Sequence, residues 1–96
     1  MTEHWLDEAA LEIDEIILFY AQRDPGEEVR FVHHLTAGIE KVMRDPEQPR
    51  EFDPPFRRVF LNVFPHQLIY VIEEDAVIFV AVAHPCLPKG YWKERY

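Results

Sequence analysis

Apolar residues recur at three- and four-residue steps along the first part of the chain, the period of an amphipathic helix. This stripe consists of Leu6, Ala9, Ala10, Ile13, Ile16, Ile17 and Tyr20. Glu8, Glu12 and Glu15 fall on the opposite side, so we interpret them as a solvated helix face. Asp7 or Thr2 is the predicted N-cap, because short polar side chains accept hydrogen bonds from free helix N–H groups.

A second helix is predicted after a break at residues 24–27. Asp24 is the predicted N-cap, Pro25 suits the first helical position, and Glu27 closes a capping box. The apolar stripe consists of Val29, Val32, Leu35, Ile39, Val42 and Met43. The helix should end near Asp45, because Pro46 disfavours helical geometry for the residue before it. So short a link predicts an antiparallel helical hairpin.

After a proline-rich loop over residues 45–56, the apolar residues no longer follow the helical period. Residues 57–63, 67–72 and 76–83 are rich in Val, Ile, Phe and Tyr, the composition of strands. Their short connections require antiparallel neighbours, and the third run is apolar on both faces, which places it centrally. We therefore predict an α+β fold, in which the N-terminal hairpin packs on a curved three- to four-stranded antiparallel sheet.

Length and charge narrow the class of protein. From the length of 96 residues we expect a single domain, residues 1–96. The 18 acids against 10 bases give a net charge of -8. The longest apolar run, Ala76 to Ala83, is far shorter than the roughly 20 residues that span a bilayer. Residues 2–15 carry six acids and no Lys or Arg, unlike a secretory leader. We expect a cytoplasmic protein with no membrane partner.

The acidity is confined to one part of the chain. Residues 1–56 hold fourteen acids and five bases, whereas residues 57–96 hold four acids and five bases. The acidic part corresponds to the predicted hairpin and the loop that follows it. The predicted sheet and the C-terminal segment therefore have separate chemistry.

The first candidate catalytic residue is His84, which lies where the predicted central strand ends. A histidine there can act as an acid or base near neutral pH, or simply bond to the backbone at the sheet edge. Cys86 lies two residues on, but nothing supplies an orienting group for a Cys–His nucleophile. The five histidines lack the spacing of zinc ligands, so we predict no metal and no cofactor.

Basic and aromatic residues alternate near the C-terminus. Lys89, Lys93 and Arg95 lie among Tyr91, Trp92 and Tyr96. Such segments hold phosphates and stack nucleobases, or they form protein-recognition patches. The acidity of the rest of the chain favours a protein partner. We therefore predict a partner-binding set made of Tyr91, Trp92, Lys93 and Arg95.

Four segments, in order along the chain, resemble toxins of the RelE/ParE superfamily. The run from Arg57 to His66, RRVFLNVFPH, resembles the paired-arginine strand and Phe-Pro of these toxins. Residues 68–75, LIYVIEED, are similar to the second strand and its acidic turn. Residues 80–84, VAVAH, and 90–95, GYWKER, resemble the last strand and the C-terminal motif. The family also has a short N-terminal strand, for which Glu3 to Trp5 is the candidate.

The resemblance implies the toxin half of a type II toxin–antitoxin pair, bound by a cognate antitoxin. Ribonuclease members cut mRNA on the ribosome without a metal, which implies Arg57, Arg58, His84 and Tyr91 as candidate catalytic residues here. However, Cys86 and Leu87 stand where such relatives commonly carry two arginines. ParE-like members poison DNA gyrase and need no RNA-cleaving site.

The leading hypothesis is therefore a ParE-like toxin of the plasmid-stabilisation type, which acts by binding a protein such as gyrase and is not an enzyme. The first alternative is a ribosome-dependent, metal-independent endoribonuclease. The second is a non-toxic relative that keeps only the antitoxin-binding fold. An exposed sheet face or edge strand could serve a homodimer or an antitoxin equally well.

Overall fold

The chain starts with a short strand and a pair of helices, followed by three more strands. The computed structural model describes residues 1–96. Its elements are β1 (Thr2–Trp5), α1 (Asp7–Arg23), α2 (Glu27–Arg44), β2 (Arg57–Phe60), β3 (Gln67–Glu73), β4 (Ala76–Ala83) and a 3-10 turn (Lys93–Arg95). The predicted α+β class and helical hairpin are confirmed. None of the helices has the length and apolar character needed to cross a membrane.

The four strands form one sheet in the order β1-β4-β3-β2. β4 lies inside the sheet, as its apolar character on both faces predicts. The predicted antiparallel pairing is confirmed for β2, β3 and β4, whereas the additional strand β1 pairs with β4 in parallel from Thr2↔Ala76 to Trp5↔Phe79. Both helices and two strands separate β1 from β4 along the chain. That connection is long enough for the crossover that parallel strands require.

Both helices begin differently from the prediction. The N-cap of α1 is Leu6, which has no side-chain cap, while Thr2 lies in β1. α2 begins after Gly26, whose φ of 102° places it in the left-handed region. The Gly26 N–H donates to the Glu28 carboxylate at 3.0 Å. Asp24 and Pro25 therefore belong to the turn, because glycine adopts this φ at no steric cost.

β2 is shorter than the predicted run of residues 57–63. It ends at Phe60, and Val63 adopts a φ of 75° in the loop that leads to β3. A positive φ brings the β-carbon of a branched residue close to its own backbone, which costs about 1–2 kcal/mol. Val63 is 70% exposed, so few contacts offset that cost.

The sheet separates two apolar clusters. Side chains of both helices pack on one face around Phe31, Tyr70 and Phe79. The loop before β2 and the C-terminal segment cover the other face, where Phe56 and Trp92 pack against β3 and β4. The C-terminal segment is thus the second covering layer of the sheet.

We expect Val63→Asn to raise the free energy of unfolding by about 1 kcal/mol, because asparagine tolerates the left-handed region. Chemical denaturation measures the change. Val29→Asn is the matched control, since Val29 is exposed but helical and the two residues have similar helix propensity. An equal effect at both positions would contradict strain at Val63.

Candidate functional site

One end of the sheet brings together residues from separate strands. Gln67 at the start of β3 pairs with Ala83 at the end of β4 and with Phe60 of β2. Arg58 pairs with Ile69 further along β3, and its side chain reaches Gln67, while His84 directly follows Ala83. Together with the C-terminal segment they line a cleft of about 410 Å³. We call it the basic cleft; its walls include Phe52, Arg58, His84, Lys89, Trp92 and Lys93.

The two predicted arginines of β2 point to opposite faces of the sheet. Arg58 lies in the basic cleft, with its guanidinium carbon 4.3 Å from the Phe52 ring centre and 5.1 Å from that of Phe60. Its Nη1 donates weakly to the Gln67 side chain at 3.4 Å. Arg57 donates to the carbonyls of Glu47 and Pro49 at 3.2 and 2.6 Å. Arg57 therefore anchors the loop before β2 and does not line the cleft.

The remaining cations of the basic cleft differ in their partners. Lys93 pairs with Asp53 at 2.5 Å, with both side chains substantially exposed. Lys89 is exposed and forms no ion pair. Trp92 is 7% exposed, and its ring packs among Phe52 and Phe56. The cleft therefore contains two cations, Arg58 and Lys89, that no carboxylate neutralises.

His84 lines the cleft and contacts a second, buried histidine. Its Nδ1 accepts the Cys86 N–H at 3.1 Å, so the neutral ring carries its proton on Nε2. Its ring centre is 5.1 Å from that of His66, which is only 3% exposed. Burial, and to a smaller extent the neighbouring His84, lower the pKa of His66 to about 4. His66 is therefore neutral in the folded protein near pH 7.

Glu12 of α1 holds two of the predicted site residues outside the cleft. Its carboxylate receives both guanidinium nitrogens of Arg95, at 2.9 and 3.0 Å, and the Tyr91 hydroxyl at 2.5 Å. Burial and the bond to Glu12 raise the pKa of Tyr91. The prediction that Glu12 belongs to a solvated face is wrong, since its side chain is 14% exposed.

The same carboxylate also accepts a hydrogen bond from the backbone at the edge of β4. β1 pairs with β4 only as far as Phe79, because the chain then turns into α1. Beyond that point the Val82 N–H donates to Glu12 at 3.0 Å, and Arg95 donates to the Val80 carbonyl at 3.1 Å. We call Glu12, Tyr91 and Arg95 the Glu12 cluster. It replaces the missing strand beside β4.

The predicted site residues thus divide into three groups. Arg58 and His84 line the basic cleft with Trp92 and Lys93. Tyr91 and Arg95 belong to the Glu12 cluster, and Arg57 anchors a loop. Their catalytic and partner-binding roles stay predictions. No three histidine, cysteine or carboxylate side chains converge as metal ligands.

Sequence reasoning missed Glu12 and His66 as structural members of the site. Glu12 is three residues after the buried Ala9 and four before Ile16, at the flank of the apolar stripe. That position is the one signal that separates it from the exposed Glu8 and Glu15. His66 follows a Phe-Pro pair in an apolar stretch, which carries no comparable signal.

Comparisons with known proteins found a matching family and a solved structure with a similar fold. Residues 4–85 match the model of a family described as ParE toxin of the type II toxin–antitoxin system parDE. Among solved structures, the chain is similar to one from the chromosomal ParDE toxin–antitoxin system of P. aeruginosa, at 16% identity and a TM-score of 0.77. The similarity covers 88% of this chain and 95% of that chain. No curated protein matches. The resemblance drawn from the motifs is thereby confirmed.

We expect Glu12→Gln to lower the free energy of unfolding by about 3 kcal/mol, because it leaves the Arg95 charge without its counter-ion in a largely buried place. Urea denaturation measures the loss. Glu27→Gln is the matched control, because Glu27 pairs with Arg30, whose side chain is 57% exposed, and the change should cost less than about 1 kcal/mol. Equal losses would show that the Glu12 cluster is no stronger than a surface pair.

We expect stability to fall as the pH is lowered from about 6.5 to about 4, since the unfolded chain protonates His66 before the folded protein does. Over the whole pH interval, the protonation of His66 should lower the free energy of unfolding by about 3 kcal/mol. Urea denaturation at pH 7 and pH 4.5 should show a smaller fall for His66→Phe than for the wild type. His33→Gln, at an exposed histidine, should keep the wild-type fall. An undiminished fall in His66→Phe would contradict the assignment.

Proposed function

Because the chain belongs to the ParE toxin family of type II toxin–antitoxin systems, we propose that it acts by binding a protein target, with DNA gyrase as the candidate. A cognate antitoxin neutralises it, and both act in the cytoplasm. One observation carries the proposal: Tyr91 and Arg95, the C-terminal side chains suited to acid–base and phosphate chemistry, bind Glu12. They support the sheet and do not face the cleft.

RNA cleavage needs more than the basic cleft contains. It requires a base for the 2′-hydroxyl, an acid for the leaving oxygen and cations around the phosphate. His84 is the one imidazole in the cleft, and Tyr91 is absent from its walls. Leu87, one of the two positions where ribonuclease relatives commonly carry arginine, lines the cleft as an apolar side chain. The arrangement favours binding over catalysis.

A ribonuclease remains the alternative because Arg58, His84 and Lys89 share one concavity. Two cations can stabilise the charge of a phosphodiester while the histidine beside them exchanges a proton. In that alternative His84 is the base and a second group, from the ribosome or the RNA itself, supplies the acid. This requirement for an external acid is why we rank the alternative second.

The antitoxin has a surface available on the helical hairpin. Leu11 and Leu18 of α1 are 57% and 58% exposed, and Val29 of α2 is also exposed. These apolar side chains lie among the acids that give residues 1–56 their negative charge. An antitoxin segment with apolar and basic residues would complement both features.

We expect the purified chain to inhibit the supercoiling of relaxed plasmid by gyrase and to leave ribosome-bound mRNA intact. Both reactions are followed on gels, and the cognate antitoxin added beforehand should restore supercoiling. Induction in a bacterial host without the antitoxin should stop growth with the same signature. Undisturbed supercoiling with transcripts cut between codons would replace this function with the ribonuclease. Normal growth at good expression would indicate the non-toxic relative.

A further inference from the structure

The basic cleft continues into a second concavity of different character. An apolar groove of about 300 Å³ lies between α1 and the segment after β4. Its walls include Ile16, Phe19, Tyr20 and His66. His84 and Leu87 line both the groove and the cleft, so the two concavities form one continuous surface.

The apolar groove presents side chains that the fold leaves uncovered. Phe19 and Leu87 are 50% and 44% exposed. At the inner wall, His66 Nδ1 is buried and has no hydrogen-bond partner. The groove therefore offers contact for a bulky apolar side chain, and a buried polar atom that an occupant could satisfy. Glu15 is the one acid on its wall.

The basic cleft presents donors that lack acceptors. Lys89 has no ion pair, and the single side-chain hydrogen bond of Arg58 is long, at 3.4 Å. Asp53 is the acid in the cleft wall, and it is bound to Lys93. A carboxylate entering the cleft would therefore meet two unneutralised cations, and charge-assisted hydrogen bonds of this kind are the strong ones.

A nucleic acid fits this surface less well than a peptide. Sequence-tolerant binding of single strands uses free aromatic faces on which bases stack. Beside the cations of the cleft, the Arg58 guanidinium covers Phe52, Trp92 is nearly buried and Tyr91 is held by Glu12. The net charge of -8 also repels a polyanion outside the cleft.

We infer that the groove and the cleft together bind an extended segment of the protein target, in which a bulky apolar side chain enters the groove and neighbouring carboxylates lie in the cleft. The apolar contact supplies binding energy and the two cations select acidic neighbours. This inference rests on the proposed function, since it names the surface and the partner chemistry through which the toxin would act.

The first test uses a heptapeptide with a central phenylalanine and aspartates on both sides, titrated into the isotope-labelled protein and followed by NMR. Backbone amide signals of residues that line the groove and of residues that line the cleft should both shift. Lys89→Gln and Phe19→Ser should each weaken binding about tenfold, which is about 1.4 kcal/mol. Lys41→Gln and Val32→Ser, exposed positions outside this surface, are the matched controls and should bind as the wild type does.

Three outcomes of the titration would overturn the inference. Equal binding of a peptide with asparagines in place of the aspartates would remove the role of the cations. Tighter binding of a single-stranded oligouridylate in the cleft would make it a nucleic-acid site. Absence of shifts in the groove would likewise exclude the proposed apolar contact.

The second test repeats the gyrase reaction with the same four variants. Lys89→Gln and Phe19→Ser should raise the concentration for half-inhibition about tenfold, while both controls match the wild type. If the wild type inhibits and all variants inhibit equally, this inference fails and the proposed function stands. If the wild type does not inhibit gyrase, the proposed function fails, and the titration alone decides the surface. Variants that keep inhibition but escape the antitoxin would assign the surface to the antitoxin and overturn the inference.

Discussion

The carboxylate of Glu12 is the group on which the arrangement of the C-terminal segment depends. β4 extends past its parallel neighbour β1, which leaves backbone groups at Val80 and Val82 without a strand beside them. Glu12 and Arg95 bind those groups, and Tyr91 completes the cluster. A largely buried carboxylate is costly unless it is paired and fully hydrogen-bonded, and here it is both. One side chain therefore joins α1, the edge of β4 and the C-terminal segment.

This arrangement decides which residues are free to act on a partner. With Tyr91 and Arg95 engaged internally, the basic cleft depends on Arg58, His84 and Lys89. These groups can hold a negative charge, but they include a single imidazole, whereas cleavage of RNA needs both a base and an acid. The apolar groove beyond His84 adds contact area that a phosphodiester would not use. Local charge and shape thus favour a protein partner despite the net charge of -8.

Local patterns predicted most of the fold and little of the site. Periodicity located both helices and three strands, because each buries a regular face. It did not reveal that Gly26 begins α2 or that Val63 ends the first predicted strand early, since both depend on single backbone angles. Glu12 looks like Glu8 and Glu15 in the sequence, and it differs only because β4 is longer than β1. Arg58 and His84 line one cleft because of how the strands and the C-terminal segment pack, which no spacing in the sequence fixed.

A double-mutant cycle between Glu12 and Arg95 tests most directly whether this cluster holds the C-terminal segment. Unfolding free energies of Glu12→Gln, Arg95→Gln and the double variant, measured in urea, give the coupling between the two side chains. The account predicts a coupling of about 2 kcal/mol, the size expected of contacting residues in one hydrogen-bond network. A coupling within about 0.5 kcal/mol of zero, as for independent or exposed charges, would contradict it.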